Sequence, residues 1–231
     1  VEANRYTIRK ITQELADVRS YAFDFGNAPF EFEPGQFVIF TLDADLQAPL
    51  TISSSPTERS QFEVTVKRTG NFGARFYDTM KAGDSVSVGR PMGQFKLDRK
   101  AAAPICFIGR DYAITAARSF LRFLWETGSS RRLTVLHEIS GFDQALYDAE
   151  FRKYQAGERF TRLLLLDQPT RPPGWTGPVS RVTDQLLKGL FVESPDTVFY
   201  AVGEGTDIGF YKTQLQAAGI PKTNFLLERW S

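Results

Sequence analysis

The sequence holds one cysteine and one histidine, no long apolar run and no excess of charge of either sign. A single cysteine, Cys106, excludes an internal disulfide and any zinc or iron-sulfur centre built on several thiolates. It lies in the apolar run Pro104–Gly109, where a buried structural thiol is expected. A single histidine, His137, cannot form a two-histidine metal site, and its place at the end of the run Leu133–His137 predicts packing at a strand end. No segment reaches the roughly 18 to 20 apolar residues of a membrane-spanning helix, so no membrane span is expected. Lys and Arg number 28 against 27 Asp and Glu, with no long run of either sign, which argues against a nucleic-acid or anionic-lipid surface. The start at Val1 shows neither a signal peptide nor an initiator methionine, and the default expectation is a cytoplasmic protein.

The chain has 231 residues, 42% of them hydrophobic and 24% charged, which places it among proteins that bury a core and allows one large domain or two modest ones. The patterning chooses two. Up to residue 98 the apolar residues alternate in short stretches, Tyr6–Ile11, Phe37–Leu42, Phe62–Val66 and Ser85–Val88. Alternation of this kind is the mark of antiparallel strands with one buried face, here in a barrel or sandwich. Pro34-Gly35 and Ala82-Gly83-Asp84 supply turns before two of the strands, and one short helix is expected from Gly73 to Lys81.

From residue 99 the rhythm changes to compact apolar runs separated by amphipathic stretches. Ile105–Ile108, Leu133–Leu136, Leu163–Leu166, Val198–Val202 and Phe225–Leu227 have the continuous apolar character of strands buried on both faces. Ala113–Trp125, Phe142–Tyr154, Val182–Leu187 and Asp207–Ala217 read as the helices between them. This alternation predicts a doubly wound parallel α/β sheet, whose ligand site lies beyond the carboxyl ends of the strands at the topological switch point. The Pro-rich stretch Gln168–Trp175 is a rigid connecting loop.

Several strings narrow this plan to one family. Phe32–Phe37, Ala48-Pro-Leu-Thr-Ile-Ser-Ser-Ser-Pro56, Gly83-Asp84 and Pro91–Phe95 come in the order of the barrel motifs of the ferredoxin-NADP reductase superfamily. Ile114–Ser119, Trp175–Gly177 with Val182-Thr183, Tyr200–Gly203 and Glu228–Trp230 fall where its nucleotide-domain landmarks fall. The chain therefore resembles that superfamily over nearly its whole length. The resemblance implies an FAD-binding β-barrel, residues 1–98, followed by an NAD(P)-binding α/β domain, residues 99–231. It also implies FAD as cofactor, NAD(P)H as a possible second one, and an electron-transfer partner protein or partner subunit.

The cofactor-binding positions so implied are Pro49, Leu50, Thr51, Ser53, Val66, Lys67, Gly73, Ala74, Thr115 and Gly203. Thr51 and Ser53 offer hydroxyls. Val66-Lys67 ends a strand where positive charge can approach a phosphate, and the N–H groups of Gly73 and Ala74 are expected at a helix N-terminus that holds an anion. Near the C-terminus, Trp230 matches the family aromatic that covers the flavin face, with Glu228 beside it to help pass a proton, and these two are the catalytic candidates.

The departures from the family pattern lie at ligand positions. Ala48 stands where an arginine would meet the FAD pyrophosphate, a loss of roughly tenfold to a few hundredfold in affinity unless Arg68 or Arg75 compensates. Leu50 replaces a stacking aromatic. Arg110-Asp-Tyr-Ala113 stands in place of the Gly-Gly-x-Gly loop whose bare backbone approaches the NAD(P)H pyrophosphate, and Val202-Gly-Glu-Gly205 in place of Cys-Gly-Pro-Pro. Two functions are open on this reading. One is an FAD-dependent oxidoreductase passing electrons between NAD(P)H or a protein donor and an acceptor protein. The other is a non-catalytic binding or assembly subunit on the same fold.

Overall fold

A computed structural model of the chain describes residues 3–27 and 30–230, so the reading of the start at Val1 lies outside the described residues. The chain divides into two compact units, Val1–Asp98 with Thr115–Ser129, and Arg99–Ile114 with Ser130–Ser231.

The first unit is built on six antiparallel strands, β1 (Asn4–Leu15), β2 (Val18–Asp24), β3 (Phe37–Asp43), β4 (Leu46–Thr51), β5 (Gln61–Lys67) and β6 (Ser85–Val88), in the order β4-β3-β6-β1-β2-β5. A single bridge between Ile52 and Val64 joins the two edges and gives the sheet its barrel-like closure. Alternate residues point inward, as period-two patterning requires, and the interior is strongly aromatic. Phe62 stacks on Phe23 at 5.2 Å and meets Tyr6 edge-on at 5.3 Å, and Phe40 meets Phe76 edge-on at 5.7 Å. Each such ring contributes about 1.5–3 kcal/mol of burial.

The turn expected at Pro34-Gly35 is present. Gly35 has φ +100°, and a Cβ there would run into the Phe95 carbonyl, so glycine is required for conformation and for space. The closing strand expected at Pro91–Phe95 shrinks to one bridge, Phe37 to Met92.

Helix α1 (Gly70–Thr79) buries Phe72, Phe76 and Tyr77 on one face. Helix α2 (Thr115–Glu126) follows the first strand of the sheet in sequence but is held by the barrel. Arg118 and Arg122 both reach one carboxylate oxygen of Glu63, at 2.9 and 2.7 Å, and the Ser119 hydroxyl donates to the Ser54 carbonyl at 2.6 Å. Phe120 stacks with Phe95 at 6.5 Å.

The second unit is a five-stranded parallel sheet of β7 (Ile105–Arg110), β8 (Leu133–Ile139), β9 (Phe160–Leu166), β10 (Val198–Glu204) and β11 (Phe225–Trp230), in the order β11-β10-β7-β8-β9. All five expected strands are there. The expected helices appear as α3 (Asp148–Gln155), α4 (Asp184–Glu193) and α5 (Gly205–Ala217), with α2 between β7 and β8 in the chain, but the one read from Phe142 begins only at Asp148, after a short 3-10 turn at Phe142–Gln144. Thr183 caps α4, its hydroxyl accepting from the Leu186 N–H at 3.2 Å. One sheet face carries Cys106, Ile108, Leu136, Leu165, Phe199 and Ala201 against Leu187, Tyr211 and Leu215. The strand order reverses between β7 and β10, which makes their carboxyl ends the switch point.

Candidate functional site

In the barrel unit the expected phosphate region is a hollow of about 620 Å³ lined by Asp43, Asp45 and Leu46 of the β3–β4 hairpin and by Gly70, Asn71, Ala74, Arg75 and Asp78 of α1. The helix begins three residues earlier than the sequence reading has it. Gly73 and Ala74 therefore lie inside its hydrogen-bonded turns, and the N–H groups left over by helix geometry are those of Gly70, Asn71 and Phe72. Gly73 is needed for packing instead, since a Cβ there would strike the Lys67 carbonyl, and the glycine lets α1 sit on the end of β5. The N-cap residue Thr69 makes no side-chain cap, and no acidic residue sits in the first turn, so the positive end of the helix dipole is not offset there.

The cations near this hollow are held in exchangeable pairs. Arg75 meets Asp43 at 2.5 Å and Arg68 makes a fork with Asp78 at 2.8 and 3.0 Å, with all four side chains about half exposed. Lys67 reaches Asp17 only at 3.8 Å. Exposed pairs of this kind contribute about 0–1 kcal/mol, so a phosphate can compete for either guanidinium.

Other expected positions divide. Thr51 is half-buried and its hydroxyl has no partner among the described residues, which leaves it able to donate. Pro49 is exposed, whereas Leu50 packs, like Ala48, against the barrel core. Ser53 is not an open donor, as it is wholly buried and shares its hydroxyl with Thr65 at 3.3 Å. Val66 is a core side chain, 2% exposed, and offers only backbone. Thr115, at the start of α2, is buried with a hydroxyl that has no hydrogen-bond partner, an orphan that a ligand atom would satisfy. The free helix N–H groups and exchangeable Arg75 of the hollow offer donors to an FAD phosphate, set against the carboxylates of Asp43, Asp45 and Asp78 in the same lining and without the arginine that Ala48 replaces.

In the sheet unit the corresponding place is filled by the protein itself. Arg110, last residue of β7, meets Asp167 at 2.8 Å and Asp207 at 3.9 Å. Arg181 meets Asp207 at 2.7 Å and Glu138 at 2.8 Å. Glu138 is fully buried at the end of β8, yet it accepts from the Val182 N–H at 2.6 Å, from Arg181 and from the Tyr211 hydroxyl at 2.8 Å. Burial works against the charge of Arg181, but the hydrogen bond and negative charge of Glu138 outweigh it and raise its pKa further. Burial and the same carboxylate raise that of Tyr211.

Asp111 holds the turn after β7 in a left-handed conformation, φ +46°, rare for a residue with a side chain. It is fixed at both ends: its carboxylate accepts from the Ser140 N–H at 2.8 Å and hydroxyl at 2.9 Å, and its carbonyl accepts from His137 Nε2 at 2.9 Å. Burial, then the charge of Arg162, lowers the His137 pKa to about 3, so the ring is neutral. His137 is thus a packed strand residue, as expected, and it also holds this turn.

The bare backbone the family loop would present is covered. A Cβ on Gly109 would meet Ile114 and Ala113 at 3.1 to 3.2 Å, one on Gly203 would meet Asp207 at 3.3 Å, and one on Gly205 would meet the Arg229 guanidinium at 2.8 Å. Gly203 is therefore packed against Asp207. These residues do not fit the pyrophosphate of NAD(P)H: the backbone at Gly109 and Gly203 is covered, and Asp111, Asp167, Asp207 and Glu138 outnumber Arg110, Arg181 and the Arg229 beside Gly205. Sequence reasoning flagged Arg110–Ala113 but missed Glu138, Asp167, Arg181 and Asp207. Their signal is charge placed just past the apolar runs of neighbouring buried strands.

Trp230 ends β11 with its ring against Tyr112, centroids 5.2 Å apart and planes 35° from parallel. Glu228, two residues before it, is half-buried, and burial pushes its pKa up to about 7. Among the described residues there is no cluster that could hold a metal ion and no helix long and apolar enough to cross a membrane.

No protein-family model matches the chain. It is 24% identical over 231 residues to the glycine betaine monooxygenase reductase subunit of Pseudomonas aeruginosa, a match that covers 96% of this chain and 63% of that protein. The chain thus spans less than two thirds of that relative's length. Among solved structures, it superposes on the ferredoxin reductase in carbazole 1,9a-dioxygenase with TM-score 0.84 at 16% identity, over 100% of this chain and 70% of the other. On the flavohem-like FAD/NAD binding domain of nitric oxide dioxygenase from Vibrio cholerae the TM-score is 0.81 at 18% identity, over 100% and 99%. The antiparallel barrel followed by the parallel sheet is what these structures share with it. The chain has the two-domain fold of the ferredoxin-NADP reductase-like superfamily, and the relatives and solved structures it resembles belong to that superfamily.

Proposed function

We propose that the chain is the flavin-bearing part of an electron-transfer reductase, passing electrons between NAD(P)H or a protein donor and an acceptor protein. The observation that carries this reading is the barrel hollow, with its uncapped α1 N-terminus and Arg75, in the segment that resembles the family's phosphate-binding turn. The likeness to a reductase subunit over 96% of the chain supports it. When bound, FAD supplies the redox chemistry, taking up and releasing electrons at its ring. The protein's share is to hold and orient it. Gly70, Asn71 and Phe72 would present N–H groups to a phosphate, Arg75 and Lys67 positive charge, and Thr51 and Thr115 hydroxyls. Pro49 and Leu50 would border the ring. Glu228, with its pKa near 7, can hold or release a proton at its carboxyl at neutral pH, and Trp230 offers an aromatic surface beside Tyr112.

An iron-sulfur acceptor, in this reading, lies outside these 231 residues, because their single cysteine cannot ligate a cluster. A cytoplasmic setting accords with that lone, buried thiol. The filled strand ends favour a second reading, a non-catalytic assembly subunit. Titrating the purified chain with FAD and following the visible flavin bands separates the two. Saturable one-to-one binding, weakened about tenfold in Arg75→Ala, supports the reductase, whereas no binding leaves the assembly subunit.

A further inference from the structure

We propose that the carboxyl ends of β7, β8, β9 and β10 form an ion-paired plug that excludes pyridine nucleotides from the switch point of this sheet. The plug consists of Arg110, Asp111, Glu138, Asp167, Arg181 and Asp207. It lies where doubly wound sheets receive ligands, and in this chain Arg110 after β7 and Asp207 in α5 reach across the point at which strand order reverses, 3.9 Å apart.

Three independent features close the position. The first is space: Ala113 and Ile114 cover Gly109 and Asp207 covers Gly203, so two of the glycines that could let a phosphate approach the backbone are lined by other groups. The second is charge. Four carboxylates face Arg110 and Arg181, with Arg229 at Gly205 a third guanidinium, so the carboxylates remain in excess and a pyrophosphate would add to it. The third is rigidity. Glu138 is satisfied by three partners in full burial, so Arg181 cannot turn to a ligand without breaking a buried bond, and Asp111 is held by Ser140 and His137, which fixes the turn beside Arg110.

The inference rests on the reductase reading only for its consequence, which is that of the two donors named there the protein one remains. Its test does not depend on flavin. Isothermal titration of the full chain with NAD+, NADH and NADPH at low salt is expected to show no saturable binding up to about 1 mM. Saturable binding in the micromolar range overturns the proposal. The double variant Asp111→Gly, Asp207→Ala removes two carboxylates and puts glycine at the left-handed position, and it is expected to bind at least tenfold more tightly than the parent chain. Asp207→Asn, nearly isosteric, serves if circular dichroism shows the double variant unfolded, with a smaller gain expected. A folded variant with no gain overturns the assignment of exclusion to the plug. A parallel titration with FAD keeps the outcomes apart: FAD binding with nucleotide binding sinks the plug alone, and loss of FAD binding sinks the reductase reading alone.

Discussion

The two candidate ligand regions, one in each unit, handle charge in opposite ways, although both use Arg and Asp at the ends of regular elements. In the barrel unit Arg68 and Arg75 form exposed, isolated pairs beside an uncapped helix N-terminus. In the sheet unit Arg110 and Arg181 are mostly buried and shared among several carboxylates, and Arg181 is tied to the fully buried Glu138. An exposed pair contributes little and can be exchanged for a ligand. A buried one is costly to disturb, because each partner left alone would be an uncompensated charge. The residue types are the same, and burial decides whether they act as a binding surface or as internal structure.

The contrast is most exposed to test at Glu138. Glu138→Ala leaves Tyr211 and the Val182 N–H without their acceptor and Arg181 with Asp207 as its close partner, and a loss of about 3–5 kcal/mol is expected in urea unfolding. A loss below about 1 kcal/mol would mean that the network is not structural. Tyr211→Phe removes one bond to the same carboxylate and should cost about 1.5–3 kcal/mol.

Glu228 gives a pH-dependent test inside the sheet unit. Its folded-state pKa, about 7, lies above the ordinary 4.5, so the folded protein holds this proton more tightly than the unfolded chain does. The stability it contributes is fully present below about pH 4.5 and is lost as the pH rises through about 7. Allowing for partial exposure, this amounts to about 1–2 kcal/mol, visible as a slope in wild-type stability that Glu228→Gln flattens. An unchanged slope would place the carboxyl in water. The smallest stability effect belongs to the barrel: Arg75→Ala should change the unfolding free energy by less than about 1 kcal/mol, and a larger loss would show that its pair is structural after all.

Much of the fold was legible because patterning follows burial. The five apolar runs of the second half became β7 to β11, since a parallel strand buried on both faces has little choice but Ile, Leu, Val and Phe. Strand β2 was less readable: Ser20 to Phe23 are all buried, which erases the alternation that marks a half-exposed strand. Helix α1 was placed three residues late because Gly70 and Asn71 look like turn residues, and only the packing of Phe72 and Phe76 fixes its start. At the sites, sequence showed which family residues had changed but not what the replacements do. Asp111 reads as a repulsive charge in a phosphate loop. In the structure it is a bracket held by Ser140 and His137, residues 29 and 26 positions away. Glu138, Arg181 and Asp207 meet only because the strand order brings β8 and β10 to either side of β7, a relation no local motif records.

That the barrel unit takes flavin and the sheet unit refuses pyridine nucleotide is tested most directly by one anaerobic experiment. The purified chain is supplied with FAD, freed of excess, and its visible spectrum is followed as NADH, NADPH and then dithionite are added. Flavin bands that persist in both nucleotides and bleach only with dithionite are the expected result, whereas bleaching by either nucleotide would contradict it.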